Sequence, residues 1–135
     1  CGPASLKMFL SAYGINKSEN YLAKLTKSNR IKGCSEMQMI KAAGQFGFKG
    51  YVKQKSSIKE LKSLVKKGIP VIVDWFLPGE GGHYSVVVGF EKGNILLADP
   101  YFGKIMRHDI GWFEKRWYDI VRKKRITREI IVIYR

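Results

Sequence analysis

The chain has 135 residues, a length that suits one domain with a single hydrophobic core, and 45% of its residues are hydrophobic. No apolar run is long enough to span a bilayer and no signal-peptide pattern opens the chain, so the composition predicts a soluble, globular domain, with or without a membrane-spanning neighbour in a longer parent protein. The 25 Lys and Arg residues outnumber the 11 Asp and Glu residues and give a net charge of +14. Such a charge attracts phosphate, anionic lipid or acidic partners, and the favoured alternative is a lysine-rich solvated surface without a specific partner.

The first six residues, CGPASL, predict the start of a helix. Pro3 suits the first turn, because the N–H that proline lacks would have no partner there. Apolar residues follow at helical spacing and Gly14 provides a stop; the predicted buried face consists of Leu6, Phe9, Leu10 and Tyr13. A helix N-terminus favours the thiolate over the thiol, so Cys1 is a candidate nucleophile.

Three further helices are predicted from serine caps. Ser18 precedes a short helix, and Ser35 with Gln38 forms a capping-box pattern before a third helix. The apolar stripe of that third helix is predicted to be Met37, Ile40 and Ala43. Ser57 with Glu60 is a second capping box, and its helix is predicted to stop at Gly68.

After residue 69 the apolar pattern changes from helical to extended. Strands are predicted over 71–76, 83–90, 94–98, 118–121 and 129–134, with an edge strand over 48–54 and an irregular stretch or brief strand over 101–107. Asp109 is predicted to cap a short helix, and the basic run 122–125 to form a loop between the two last strands.

This order predicts an α+β fold, in which N-terminal helices pack on one side of a mostly antiparallel C-terminal sheet. We expect one domain over residues 1–135, with a helical part over about 1–68 and a sheet part over about 69–135. Neither an internal repeat nor a domain linker occurs in the sequence.

A nucleophilic thiol needs a base within hydrogen-bond reach and a group that orients the base. His83 opens a predicted central strand directly after Gly81-Gly82, whereas His108 is expected in a polar surface turn. Asp99 ends the following strand and is the candidate orienting group. The predicted arrangement is therefore a Cys-His-Asp triad of Cys1, His83 and Asp99.

The hairpin between these two strands decides whether Asp99 reaches His83. A two-residue turn at Lys92-Gly93 would place Asp99 opposite Val86, on the wrong face. A three-residue loop ending at Gly93 would place Asp99 opposite Ser85, on the face of His83. Because a glycine suits the left-handed position of the longer loop, the sequence favours the three-residue loop.

The order of CGPASL, GGHYSVVVGF and ILLADPYFG resembles the papain-like cysteine peptidases of the bacteriocin-processing, double-glycine type and their broader relatives. The resemblance extends through IKGCSEMQMIKAAGQFGF, SSIKELKSLVKKGIPVIV and WFEKRW, and so covers nearly the whole chain. It implies a papain-like fold with Cys1 as the nucleophile, His83 as the general base and Asp99 as the orienting acid.

The chain departs from this family at the oxyanion hole. Backbone N–H groups at Cys1 are expected to stabilise the oxyanion, but the glutamine that usually precedes the cysteine is not in the chain. Three explanations stay open: a trimmed segment, cleavage just before Cys1, or an enzyme without this donor. A free α-amine at Cys1 could itself act as the base.

The resemblance implies a thiol peptidase that cleaves leader peptides after small residues, or a related amide hydrolase or acyltransferase. It places such a domain in the cytoplasm, at the inner face of a membrane beside an export transporter or anionic lipid. Two alternatives are a catalytically silent peptide-binding module and a basic nucleic-acid-binding domain. The dispersed lysines and the lack of a known nucleic-acid motif count against the last one.

The sequence predicts neither a cofactor nor a metal site, since its two cysteines and two histidines have no clustered spacing. Cys34 is expected to be a partly buried structural cysteine, and a disulfide with Cys1 is the less favoured alternative. Trp75 and Trp112 are expected in the core, with the lining of a cleft as the alternative.

Overall fold

The computed structural model describes residues 2–26, 35–79, 81–99, 103–121 and 123–134. The described residues form these helices and strands, in chain order: α1 Gly2–Ser11, α2 Glu19–Leu25, α3 Glu36–Gly44, β1 Lys49–Lys53, α4 Ile58–Lys66, β2 Val71–Leu77, β3 Gly81–Glu91, β4 Asn94–Asp99, β5 Lys104–Asp109, α5 Ile110–Arg116, β6 Tyr118–Val121, β7 Lys124–Thr127 and β8 Glu129–Tyr134. Within these ranges no helix has the length and apolar character that a membrane crossing requires.

The strands form a six-stranded sheet in the order β1-β8-β2-β3-β4-β5 and a separate hairpin of β6 and β7. All pairs in the sheet are antiparallel. The α+β prediction, with N-terminal helices on an antiparallel sheet, is confirmed. β1 is the predicted edge strand, and the stretch before Asp109 is a regular strand of six residues rather than an irregular segment.

Helices cover both faces of this sheet, so the expectation that they pack on one side is wrong. The first core joins α1, α2 and α3 to one face, where Ile72, Ile131 and Ile133 lie. The second core joins Leu61 of α4 and Phe113 of α5 to the other face. The physical reason is in β2, whose residues 71–75 are all buried, because a strand without a solvent face needs cover on both sides.

The helix boundaries follow the predicted caps. Ser18 and Ser35 accept hydrogen bonds from the backbone N–H groups of Tyr21 and Gln38, and the Ser35–Gln38 capping box is complete. The Ser57 hydroxyl accepts from the N–H of Glu60, but the second box is only half formed. The Glu60 carboxylate instead accepts hydrogen bonds from the Ser56 hydroxyl and from Lys53 Nζ.

Two other details differ from the sequence predictions. The buried face of α3 consists of Met39, Ala42 and Ala43, whereas Met37 is 58% exposed. The predicted and the observed apolar faces both have helical spacing, and the packing of α3 against α1 and β1 decides which of the two is buried. In the basic run, Lys124 and Arg125 belong to β7, so a loop over the whole run is wrong.

Candidate active site

The turn between β3 and β4 is a two-residue turn, so the predicted three-residue loop is wrong. Glu91 pairs with Asn94, and the two turn residues Lys92 and Gly93 have positive φ angles of 48° and 80°. Positive φ at both central residues is typical of a type I′ hairpin turn, which matches the twist of the flanking strands. By the register argument from the sequence, such a turn alone would place Asp99 on the wrong face.

A β-bulge at Val88 restores the register that the predicted contact between His83 and Asp99 requires. The pairing shifts between Val87 and Gly89, so Val88 is an additional residue on β3 and is 43% exposed. Val86 pairs with Ala98 beyond the bulge, and Asp99 therefore comes to lie beside Ser85. An extra residue in β3 shifts its pairing with β4 by one position, and a shift of one position exchanges the two faces of the sheet. The bulge therefore places Asp99 on the face of His83, as a three-residue loop would have done.

His83, near the start of β3, and Asp99, at the end of β4, form a buried pair at the open end of this hairpin. His83 Nε2 lies 2.9 Å from Asp99 Oδ1 and 2.8 Å from Asp99 Oδ2. The two residues are 6% and 0% exposed, so this contact is shielded from water. A hydrogen bond between imidazole and carboxylate fixes the orientation and the tautomer of the ring, which is the role that the sequence assigned to Asp99.

Trp75 and Ser85 support this pair from the same face of the sheet. Ser85 is not among the predicted site residues, and Trp75 is predicted in the core, with the lining of a cleft as the alternative. The indole N–H of Trp75 donates to Ser85 Oγ at 3.0 Å, and the Ser85 hydroxyl donates to Asp99 Oδ2 at 3.3 Å. The ring of Trp75 also packs edge-on against His83, with 5.7 Å between centroids. Trp75 is fully buried, as expected for a core residue. The position of Ser85 two residues after His83 was the available signal.

His108 is not in a surface turn, because it lies in β5 and is half-buried. Its ring stacks on Trp112 with 4.7 Å between centroids and also contacts Trp75. Burial lowers the pKa of His108 below its ordinary value, although the Asp99 carboxylate opposes this shift. The ring of His108 therefore packs against Trp75 and Trp112 rather than facing solvent in a turn.

Cys1 lies outside the described residues, as does Cys34. The described part of α1 begins at Gly2, and Ser5 in its first turn is fully buried. The Ser5 hydroxyl donates to the backbone carbonyl of Tyr84 at 3.4 Å. The start of α1 therefore contacts β3 at the residue that follows His83.

Comparisons with known proteins identify the family of the chain. A family model described as the Peptidase_C39 like family matches residues 1–124. An uncharacterised protein of Methanothermobacter thermautotrophicus is 33% identical over 105 residues, which cover 78% of this chain and 68% of that protein. The transport/processing ATP-binding protein ComA of Streptococcus pneumoniae is 30% identical over 119 residues, which cover 87% of this chain and 16% of ComA.

Solved structures show the same fold. The peptidase domain of Streptococcus ComA, a bi-functional ABC transporter involved in quorum sensing, superposes with a TM-score of 0.79 at 26% identity, covering 99% of this chain and 90% of that one. A double glycine motif protease from an AMS/PCAT transporter superposes with a TM-score of 0.74 at 20% identity, covering 99% and 83%. Since the family model matches far more than half of its residues, the chain belongs to the Peptidase_C39 like family.

Proposed function

We propose that this domain is a cysteine peptidase in which Cys1 is the nucleophile, His83 exchanges protons with substrate and thiol, and Asp99 orients His83. The observation that carries the proposal is the buried contact of 2.8–2.9 Å between His83 Nε2 and the Asp99 carboxylate. Membership of a peptidase family supports the same reading. The contact of Ser5 with Tyr84 supports the approach of the α1 N-terminus to His83.

The proposed reaction uses the two nitrogens of His83 for different purposes. Nε2 donates its hydrogen to Asp99, so Nδ1 is assigned to proton exchange with the Cys1 thiol. As Nδ1 takes this proton, the sulfur attacks the carbonyl carbon of the peptide bond. Backbone N–H groups at the start of α1 stabilise the oxyanion of the tetrahedral intermediate.

Collapse of the intermediate breaks the C–N bond and forms a thioester at Cys1. The protonated His83 gives its proton to the departing amine, which completes the first half of the reaction. His83 then removes a proton from water, and the resulting hydroxide attacks the thioester. The products are a carboxylic acid and the regenerated thiol, so no further reactant is needed.

The proposed substrate is a leader peptide that is cut after two small residues, in the cytoplasm beside an export transporter. Two similar proteins support this choice. ComA is a transport and processing protein, and the double glycine motif protease of the AMS/PCAT transporter was solved in complex with a leader peptide. A net charge of +14 would also favour residence near anionic lipid.

Thiol reactivity tests the proposed mechanism. Iodoacetamide labelling near neutral pH, followed by mass spectrometry of the digested protein, should show rapid alkylation of Cys1 and slow alkylation of Cys34. His83→Ala should slow the labelling of Cys1 roughly 10²-fold or more, because the thiolate loses its partner. His108→Ala is the matched control and should leave the rate within about twofold. Equal, slow labelling of both cysteines in the unaltered protein would contradict the mechanism.

Peptide cleavage tests the proposed substrate separately. A synthetic leader peptide that ends in Gly-Gly before the cut should be hydrolysed, and the same peptide with Leu-Leu at those positions should resist. Cys1→Ala should abolish the cleavage. Rapid labelling of Cys1 together with equal cleavage of both peptides would retain the peptidase and refute the preference for small residues.

A further inference from the structure

Three carboxylates from distant parts of the chain meet on the face of the sheet that α1, α2 and α3 cover. They belong to Glu36 in the first turn of α3, Asp74 in β2 and Glu129 at the start of β8. Asp74 and Glu129 lie directly opposite each other in the pairing of β2 with β8. One carboxylate oxygen of each residue lies within 4.8 Å of those of the other two.

Two of these carboxylates are buried and incompletely hydrogen-bonded. Asp74 is 2% exposed and Glu129 is 3% exposed. Asp74 Oδ2 and Glu129 Oε2 have no hydrogen-bond partner in the described part of the chain. Buried polar atoms in folded proteins are nearly always hydrogen-bonded, so these two oxygens need a partner. The partner is either a proton shared with a neighbouring carboxyl group or a bound cation.

The charges around the three residues reinforce this argument. Although the protein has a net charge of +14, no Lys or Arg among the described residues forms an ion pair with Glu36, Asp74 or Glu129. The neutral Tyr84 hydroxyl donates to Glu36 Oε1 at 2.9 Å. Asp119 of β6 is a further acidic neighbour of Asp74. Acidic side chains therefore collect here, and none of the described Lys or Arg residues pairs with them.

Without a cation this group has to hold protons. Burial, together with the neighbouring Asp119 carboxyl, raises the pKa of Asp74 from 3.8 to about 10. Burial, and then the charge of Glu36, raises the pKa of Glu129 to about 7. A divalent cation would replace those protons and allow the carboxylates to ionise together.

We propose that Glu36, Asp74 and Glu129 bind a divalent cation of the Ca²⁺ type. Ca²⁺ prefers oxygen ligands at roughly 2.3–2.6 Å, so ligands on opposite sides of the ion are separated by roughly 4.6–5.2 Å. The carboxylate oxygens lie within that span. Zn²⁺ fits less well, because its structural sites use cysteine and histidine and the three residues offer only oxygen.

The ion would connect the start of α3 to β2 and β8, and so stabilise the packing of the N-terminal helices on the sheet. Tyr84 follows His83 in β3, and successive side chains of a strand point to opposite faces, so the site is separated from the His83–Asp99 pair by the sheet. The proposed role is structural, and it stands whether or not the domain is a peptidase.

Thermal unfolding after removal of metal ions with EDTA tests this proposal. Addition of millimolar Ca²⁺ to the whole 135-residue chain should raise Tm by roughly 5–10 °C. Mg²⁺ at the same concentration should raise Tm by less, because it demands a stricter geometry and loses its water reluctantly. At pH 7, Ca²⁺ binding should also release protons, which calorimetry in buffers of different ionisation enthalpy detects.

Asp74→Asn and Glu129→Gln should each reduce the Ca²⁺-induced Tm shift by at least half. Glu91→Gln is the matched control, because Glu91 is an exposed acid paired with Arg107, and it should retain the full shift. Two results would overturn the proposal: no Ca²⁺-induced shift in the unaltered protein, or a shift of full size in both Asp74→Asn and Glu129→Gln.

Discussion

Asp74→Asn is expected to stabilise the metal-free protein, because it replaces a buried group that must hold a proton in the folded state with one that does not titrate. The carboxyl of Asp74 faces Glu36 of α3, Tyr84 of β3, Asp119 of β6 and Glu129 of β8, none of which carries positive charge. Its pKa is raised from 3.8 to about 10, chiefly by burial. Between these two pH values the folded protein therefore binds one proton more than the unfolded chain at this residue.

The sign of the pH dependence follows from that extra proton. Where the folded state binds more protons, the free energy of unfolding falls as pH rises, by about 1.4 kcal/mol per pH unit for one proton. From an unfolded value of 3.8 to pH 7, the accumulated cost is about 4 kcal/mol, and at pH 5 it is about 2 kcal/mol. An asparagine amide has nearly the same size, donates hydrogen bonds to the adjacent carboxylates and does not titrate.

The measurement is urea unfolding followed by far-UV circular dichroism at pH 5, 6, 7 and 8, with EDTA present throughout. Asp74→Asn should exceed the unaltered protein in unfolding free energy by up to about 4 kcal/mol at pH 7, with a difference that grows by about 1.4 kcal/mol per pH unit. Titrating groups remote from Asp74 contribute equally to both proteins and cancel, so the difference reports Asp74 together with the carboxyl groups of Glu129 and Asp119 that interact with it. A difference that does not vary with pH, or an Asp74→Asn protein that is less stable at pH 7, would refute the reasoning.

Three further predictions concern the residues around His83. Asp99→Asn should reduce both the alkylation rate of Cys1 and the rate of peptide cleavage by roughly 10²–10⁴-fold, because the anionic acceptor of the His83 N–H is lost. Circular dichroism should show that the fold is retained. Unchanged rates would remove Asp99 from the mechanism. Trp75→Phe should lower the free energy of unfolding, measured with urea, by about 1–3 kcal/mol, because the buried Ser85 hydroxyl loses its hydrogen-bond donor. Trp112→Phe is the control, and a loss for Trp75→Phe no larger than that for Trp112→Phe would contradict this reason. Gly82→Ala should destabilise by roughly 1–3 kcal/mol, because a Cβ there would lie 2.5 Å from the Asp119 carboxylate. Gly89→Ala is its control, with an ordinary contact of 3.5 Å to Leu96, and an equal effect of both substitutions would disprove the clash.

Features that depend on a few neighbouring residues could be predicted from the sequence. Ser18, Ser35 and Asp109 cap their helices as expected, because a cap is formed by one side chain and the N–H groups two or three residues later. The left-handed glycines at Gly14 and Gly68 end their helices for a similarly local reason. The candidate pair of His83 and Asp99 was also predictable, from residue types and their order on adjacent strands.

Features that depend on pairing between distant segments were decided only by the tertiary structure. The bulge at Val88 has no strong local signal, yet it determines that Asp99 lies beside Ser85 and reaches His83. The cover of the second sheet face by α4 and α5 likewise depends on where the sheet places its apolar side chains. Glu36, Asp74 and Glu129 are far apart in the sequence, and only the pairing of β2 with β8 under α3 brings them together. The sequence by itself therefore determined the helix caps, most of the strands and the order of the candidate catalytic residues along the chain, because these features depend on a few neighbouring residues. Strand register and the buried acidic group arise from long-range packing, in which one inserted residue reverses every face that follows.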